Sequence, residues 1–81
     1  MRRGKEIDLY TGLYIIKSNP KAKLYSDGLH PGEYICYVEG LGVCHSDGTV
    51  IGKDEMEAVV MLSSFKWVNT NKFYLYVEGG N

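Results

Sequence analysis

The chain has 81 residues, 44% of them hydrophobic and 23% charged, with a formal net charge of −1. A chain of this length buries only about 60% of its unfolded surface and holds one core, so residues 1–81 read as a single domain with flexible ends at 1–5 and 79–81. Near-neutral charge argues against a general nucleic-acid binder held by a basic surface, and the longest apolar run, Ala58 to Leu62, is far too short for a membrane helix.

Ten Gly, two Pro and frequent Val, Ile, Tyr and Thr favour strands and tight turns over a helical bundle. Two cysteines with no apolar leader behind the basic N-terminus imply a reducing compartment, so a soluble, cytoplasmic protein is expected. The charges are unevenly spread. Residues 1–30 carry six basic against three acidic side chains, and residues 31–81 carry three against seven. The plain reading is two solvated surfaces that meet in the fold, and the functional one is a dipolar molecule that turns one sign to a partner.

From Ile7 the apolar residues alternate through Leu9, Leu13 and Ile15, which predicts a long first strand bent or bulged at Gly12. Ser18-Asn19-Pro20 is a turn, Ala22 to Tyr25 a short second strand, and His30-Pro31-Gly32 a loop. The stretch Glu33 to Lys53 carries two turn signals between three apolar runs, the pattern of a β-meander. A two-residue loop at Gly40-Leu41 sets Cys36 opposite His45, and a type I′ turn at Asp47-Gly48 sets Cys44 opposite Ile51. That register gathers Tyr34, Cys36, Val38, Val43, His45 and Val50 on one face, the expected core side.

Asp54 with Glu57 resembles a capping box and predicts a short helix over 54–62, against the alternative of a strand running on through Val59 and Val60. Phe65 to Val68 and Phe73 to Val77 form a closing hairpin. Its register puts Phe65, Trp67, Tyr74 and Tyr76 on one face.

Cys36, Cys44, His45 and His30 are the only candidate metal set. Adjacent strand residues point to opposite faces, so no metal or other cofactor is expected and the cysteines read as packed free thiols. A Cys36–His45 nucleophilic pair lacks an orienting group and an oxyanion site, and no serine sits in a nucleophile elbow, so no enzymatic activity is expected. Gly40-Leu41-Gly42 and Gly79-Gly80 lack the following helix of a phosphate loop.

The expected fold is therefore mainly β: a small antiparallel barrel or sandwich of five to six strands with one short helix. The expected function is a non-catalytic binding protein, possible also as a homodimer, that meets a protein partner through Phe65, Trp67, Tyr74 and Tyr76, extended by Tyr10 and Tyr14. The alternative is a nucleic-acid or small-nucleotide module that stacks bases on these aromatics beside Arg2, Arg3, Lys5, Lys17, Lys21 and Lys23. In size and composition the chain resembles small interaction proteins such as phage-encoded inhibitors of host enzymes, an analogy of style alone.

Overall fold

Asp8 determines the first helix. In the computed structural model, which describes residues 4–78, its carboxylate accepts from the Thr11 amide at 3.1 Å and the Thr11 hydroxyl at 3.0 Å. That is an N-cap, and it starts helix α1 (Leu9–Ser18) where the alternating pattern predicts a strand. The same residues also fit a period of 3.6. Leu9, Gly12, Leu13 and Ile16 lie inward while Tyr10, Tyr14 and Lys17 lie outward. Pro20 stops the helix. Before α1, strand β1 covers Lys5–Ile7, so Lys5 is part of the sheet; of the expected flexible ends, 1–3 and 79–81 fall outside the described residues.

Five further strands follow: β2 (Ala22–Ser26), β3 (Ile35–Val38), β4 (Gly42–His45), β5 (Val50–Gly52) and β6 (Phe73–Val77). With β1 they form one antiparallel sheet in the order β1-β6-β2-β3-β4-β5. The sheet is not closed, since β1 and β5 are its edges. Two more helices, α2 (Glu55–Ser63) and α3 (Lys66–Thr70), give the chain as many helical as strand residues, so the mainly-β expectation holds only in part.

The first meander loop holds three residues, not two. Val38 pairs with Gly42, Tyr37 with Val43, Cys36 with Cys44 and Ile35 with His45. Gly40 and Gly42 have φ of 91° and 107°, left-handed backbone that glycine adopts freely and that lengthens the loop by one. A slip of one residue exchanges the faces. Ile35, Tyr37, Val43 and His45 therefore point to the core side, and Tyr34, Cys36 and Val38 to the other, so β4 faces as expected and β3 is turned over. At the second turn Cys44 pairs with Val50 and Val43 with Gly52, the register shifting at a bulge that takes up Ile51.

Helix α2 forms as its capping residues predict. The Asp54 carboxylate accepts from the Glu57 amide at 2.9 Å, and Glu57 reaches back to the Lys53 amide at 2.9 Å. Phe65 to Val68 does not form the expected strand. Asn71 donates to the Trp67 carbonyl at 2.9 Å and Thr70 to the Lys66 carbonyl at 3.3 Å, local side-chain bonds that hold one short helix turn. β6 consequently finds other partners, β1 on one side and β2 on the other.

All three helices lie on one face of the sheet. Leu13 and Ile16 of α1, Ala58 and Leu62 of α2 and Val68 of α3 join Ala22, Leu24, Ile35, Val43 and Phe73 in a single core. Full burial of a leucine such as Leu13 or Leu24 stabilises the fold by about 1.5–3 kcal/mol. Gly12 lets α1 approach β2, because a Cβ there would lie 2.6 Å from Leu24 Cδ1, and Leu24 is fully buried. Gly12→Ala is therefore expected to destabilise by about 1 kcal/mol or more even after its helix-propensity gain of about 1 kcal/mol, as read by urea unfolding. A second expectation concerns pH. The Thr11 amide, then the Thr11 hydroxyl, holds the Asp8 carboxyl below its usual range, so its stabilisation is complete above the unfolded value near ~4 and is lost as pH falls through the folded one. Asp8→Asn keeps an oxygen acceptor and is expected to flatten the acid limb of a stability–pH profile.

Candidate functional site

The face of the sheet away from the helices is aromatic. Alternation along β2 sends Ala22, Leu24 and Ser26 to the core and Lys23 and Tyr25 outward, and the β2–β6 register places Tyr76 beside Lys23 and Tyr74 beside Tyr25. Tyr34, just before β3, completes the group. The Tyr25 ring lies 5.8 Å from Tyr34 and 6.4 Å from Tyr76, the latter edge-on at 79°. The Lys23 ammonium sits 4.6 Å above the Tyr34 ring and 3.1 Å from the Glu78 carboxylate. The hydrogen bond to Glu78 raises the Lys23 pKa, and burial raises that of Tyr25. Tyr74 donates its hydroxyl to Asp27 at 3.3 Å. All four tyrosines are half-buried.

The expected aromatic constellation is divided by this fold. Tyr74 and Tyr76 do share a face, as predicted. Phe65 and Trp67 lie with α3 on the helical side, where their rings are 6.5 Å apart and Trp67 packs on Phe73 at 6.1 Å. Tyr10 and Tyr14 stand on the outer surface of α1, 51% and 59% exposed. Tyr25 and Tyr34 were not anticipated, although the alternation of Lys23 and Tyr25 with Ala22 and Leu24 is readable in the sequence.

The basic residues do not form one patch. Lys17 reaches from α1 to Glu55 of α2 at 3.1 Å, while Lys23 is on the opposite side of the sheet. Lys5 is in β1 and Lys21 precedes β2; Arg2 and Arg3 lie outside the described residues. The Lys17–Glu55 and Lys23–Glu78 pairs show the basic N-terminal and acidic C-terminal halves of the chain meeting in the fold.

Cys36 and His45, expected as neighbours across the ladder, point to opposite faces. Cys36 instead faces Cys44, and both are free thiols. Burial, then the neighbouring Cys44, pushes the Cys36 thiol up. Among the described residues there is no group of three or more His, Cys, Asp or Glu side chains that could hold a metal ion.

His45 opens instead into a cavity of about 410 Å³ beneath the α2–α3 junction, with Leu29, Ile51, Met61, Phe65 and Trp67 among its walls. Gly28 makes room for the indole, since a Cβ there would be 2.3 Å from Trp67 Cε3. His45 is bracketed by carboxylates: Nε2 is 3.6 Å from Glu33 Oε1 and Nδ1 is 3.1 Å from Asp47 Oδ1. The Asp47 amide donates to Nδ1 at 3.2 Å. The Thr49 amide, and then its hydroxyl, hold the Asp47 carboxyl below the usual range.

Comparison with protein-family models, with curated proteins and with solved structures finds no match to this chain. No helix among the described residues is long and apolar enough to cross a membrane. The thiols give a direct check of the face assignment. Ellman's reagent at neutral pH is expected to titrate half-buried Cys36 about tenfold or more slower than a free thiol, because its thiolate fraction is reduced, and Cys44, 2% exposed, only on unfolding. Equal, rapid reaction of both would contradict the placement.

Proposed function

We propose that the protein is a non-catalytic binding module that engages a protein partner with the open face of its sheet, through Tyr25, Tyr34, Tyr74 and Tyr76. The observation that supports this reading is the composition of that face. The solvated side of an antiparallel sheet is ordinarily polar, whereas here its centre carries adjoining tyrosine rings. Tyrosine combines rigid apolar area with a hydroxyl that hydrogen-bonds at the rim, and so it serves as an anchor in protein interfaces. The lysine among the rings favours a protein over a polyanion, because its ammonium is already engaged by Glu78 and by the Tyr34 ring. Such a module acts by occupying its partner's surface, the mode of an adaptor or of an inhibitor of a host enzyme.

The test is site-specific photocrosslinking. A benzoylphenylalanine at position 25 is expected to give a discrete protein adduct in cells, and the same probe at position 14, on the outer surface of α1, is expected to give none. Tyr76→Ala is expected to weaken the position-25 adduct about tenfold or more, as loss of an interface anchor does. Adducts at position 14 alone, or none at 25, would reject the proposal. A labelled single-stranded oligonucleotide that binds, with affinity falling steeply with salt and lost in Tyr25→Ala, would assign the face to nucleic acid instead.

A further inference from the structure

The cavity under the α2–α3 junction lies on the helical side of the sheet, independent of the tyrosine face, and its lining is chemically one-sided. Its volume of about 410 Å³ is within the range of small-molecule sites. Leu29, Ile35, Ile51, Met61 and Leu62 supply apolar wall, and the Phe65 and Trp67 rings, 19° from parallel, supply π surface. Its acidic groups are Glu33 and Asp47, and neither lysine nor arginine lines it. Both carboxylates are fixed in place. Glu33 Oε1 accepts from the His30 amide at 3.1 Å, and Asp47 Oδ1 from the Thr49 amide at 2.9 Å. His45 stands between them, with Nε2 toward Glu33 and Nδ1 toward Asp47.

We infer that this cavity is a binding site for a small organic cation with an aromatic or branched apolar body, of the substituted-ammonium class. The apolar body fills the space between Met61, Leu62 and the β4–β5 edge. The ammonium end lies toward Glu33 and Asp47 and within reach of the aromatic rings, whose faces attract cations. An anionic ligand of the same shape meets two carboxylates of like sign. A neutral one gains nothing from the carboxylates, so charge complementarity selects the cation.

Trp67 is the only tryptophan of the chain and lines the cavity, so its fluorescence reports occupancy. Benzyltrimethylammonium and phenylacetate share a ring and differ in charge. The cation is expected to perturb Trp67 emission saturably with a Kd at or below about 1 mM, and phenylacetate to bind at least about tenfold more weakly. The double variant Glu33→Gln, Asp47→Asn retains both turn-capping oxygens. It is expected to keep its far-UV circular dichroism and to lose the preference for the cation. Phenylacetate binding as tightly as the cation, unchanged selectivity in the folded variant, or no saturation by the cation up to about 10 mM would each overturn the inference.

Discussion

The close approach of α1 to β2 at Gly12 and Leu24 is the contact on which the rest of the structure depends. Leu24 lies under the helix and in the middle of the sheet, paired with Leu75 of β6 on one side and Ile35 of β3 on the other. Once that side chain is covered, alternation fixes the facing of each strand hydrogen-bonded to β2. Ala22, Ser26, Phe73 and Val77 go inward with it. Lys23, Tyr25, Tyr74 and Tyr76 have no choice but to face outward. The aromatic surface is thus the complement of the core, and any change that turned β2 over would exchange the two.

Helix α2 was legible because its signals are local: Asp54 and Glu57 cap, and Met, Glu, Ala and Leu propagate. β2 and β6 were legible for a similar reason, being short apolar runs bounded by turn residues. α1 was not, since its apolar residues satisfy both a period of 2 and a period of 3.6 over a single stretch. What separates the two is one aspartate whose side chain closes on Thr11. α3 was missed because Phe65 to Val68 has strand composition but adjoins Asn69, Thr70 and Asn71, whose side chains bond back to the preceding carbonyls. The meander register failed at one residue of loop length, which no periodicity records. Of the candidate surface, the pairing of Tyr74 with Tyr76 on one face was readable, whereas the rings that join them come from β2 and from before β3, joined to β6 only through tertiary pairing.

The same extra loop residue also fixes the second surface. Because Val38 closes on Gly42, His45 turns into the helical side and Cys44 away from it. His45 then meets Glu33 and Asp47 under α2 and α3, and the two thiols meet each other across the opposite face. A two-residue loop would have set His45 beside Cys36 on one face and Cys44 on the other. Glycine at positions 40 and 42 therefore governs chemistry several residues away without touching any of it.

The place of β6 has a consequence for the order of events during synthesis. The strand that comes last in the described chain lies second in the sheet, between β1 and β2. Until residues 73–77 are available, β1 has no neighbour and β2 presents an unpaired border beside a core that lacks Phe73 and Leu75. The meander from Ile35 to Gly52 can assemble earlier on local contacts, but the half of the sheet nearest the N-terminus waits on a pairing across some 50 to 70 positions, the kind of closure that slows folding. A nascent or truncated chain that lacks β6 thus carries an open edge at β2.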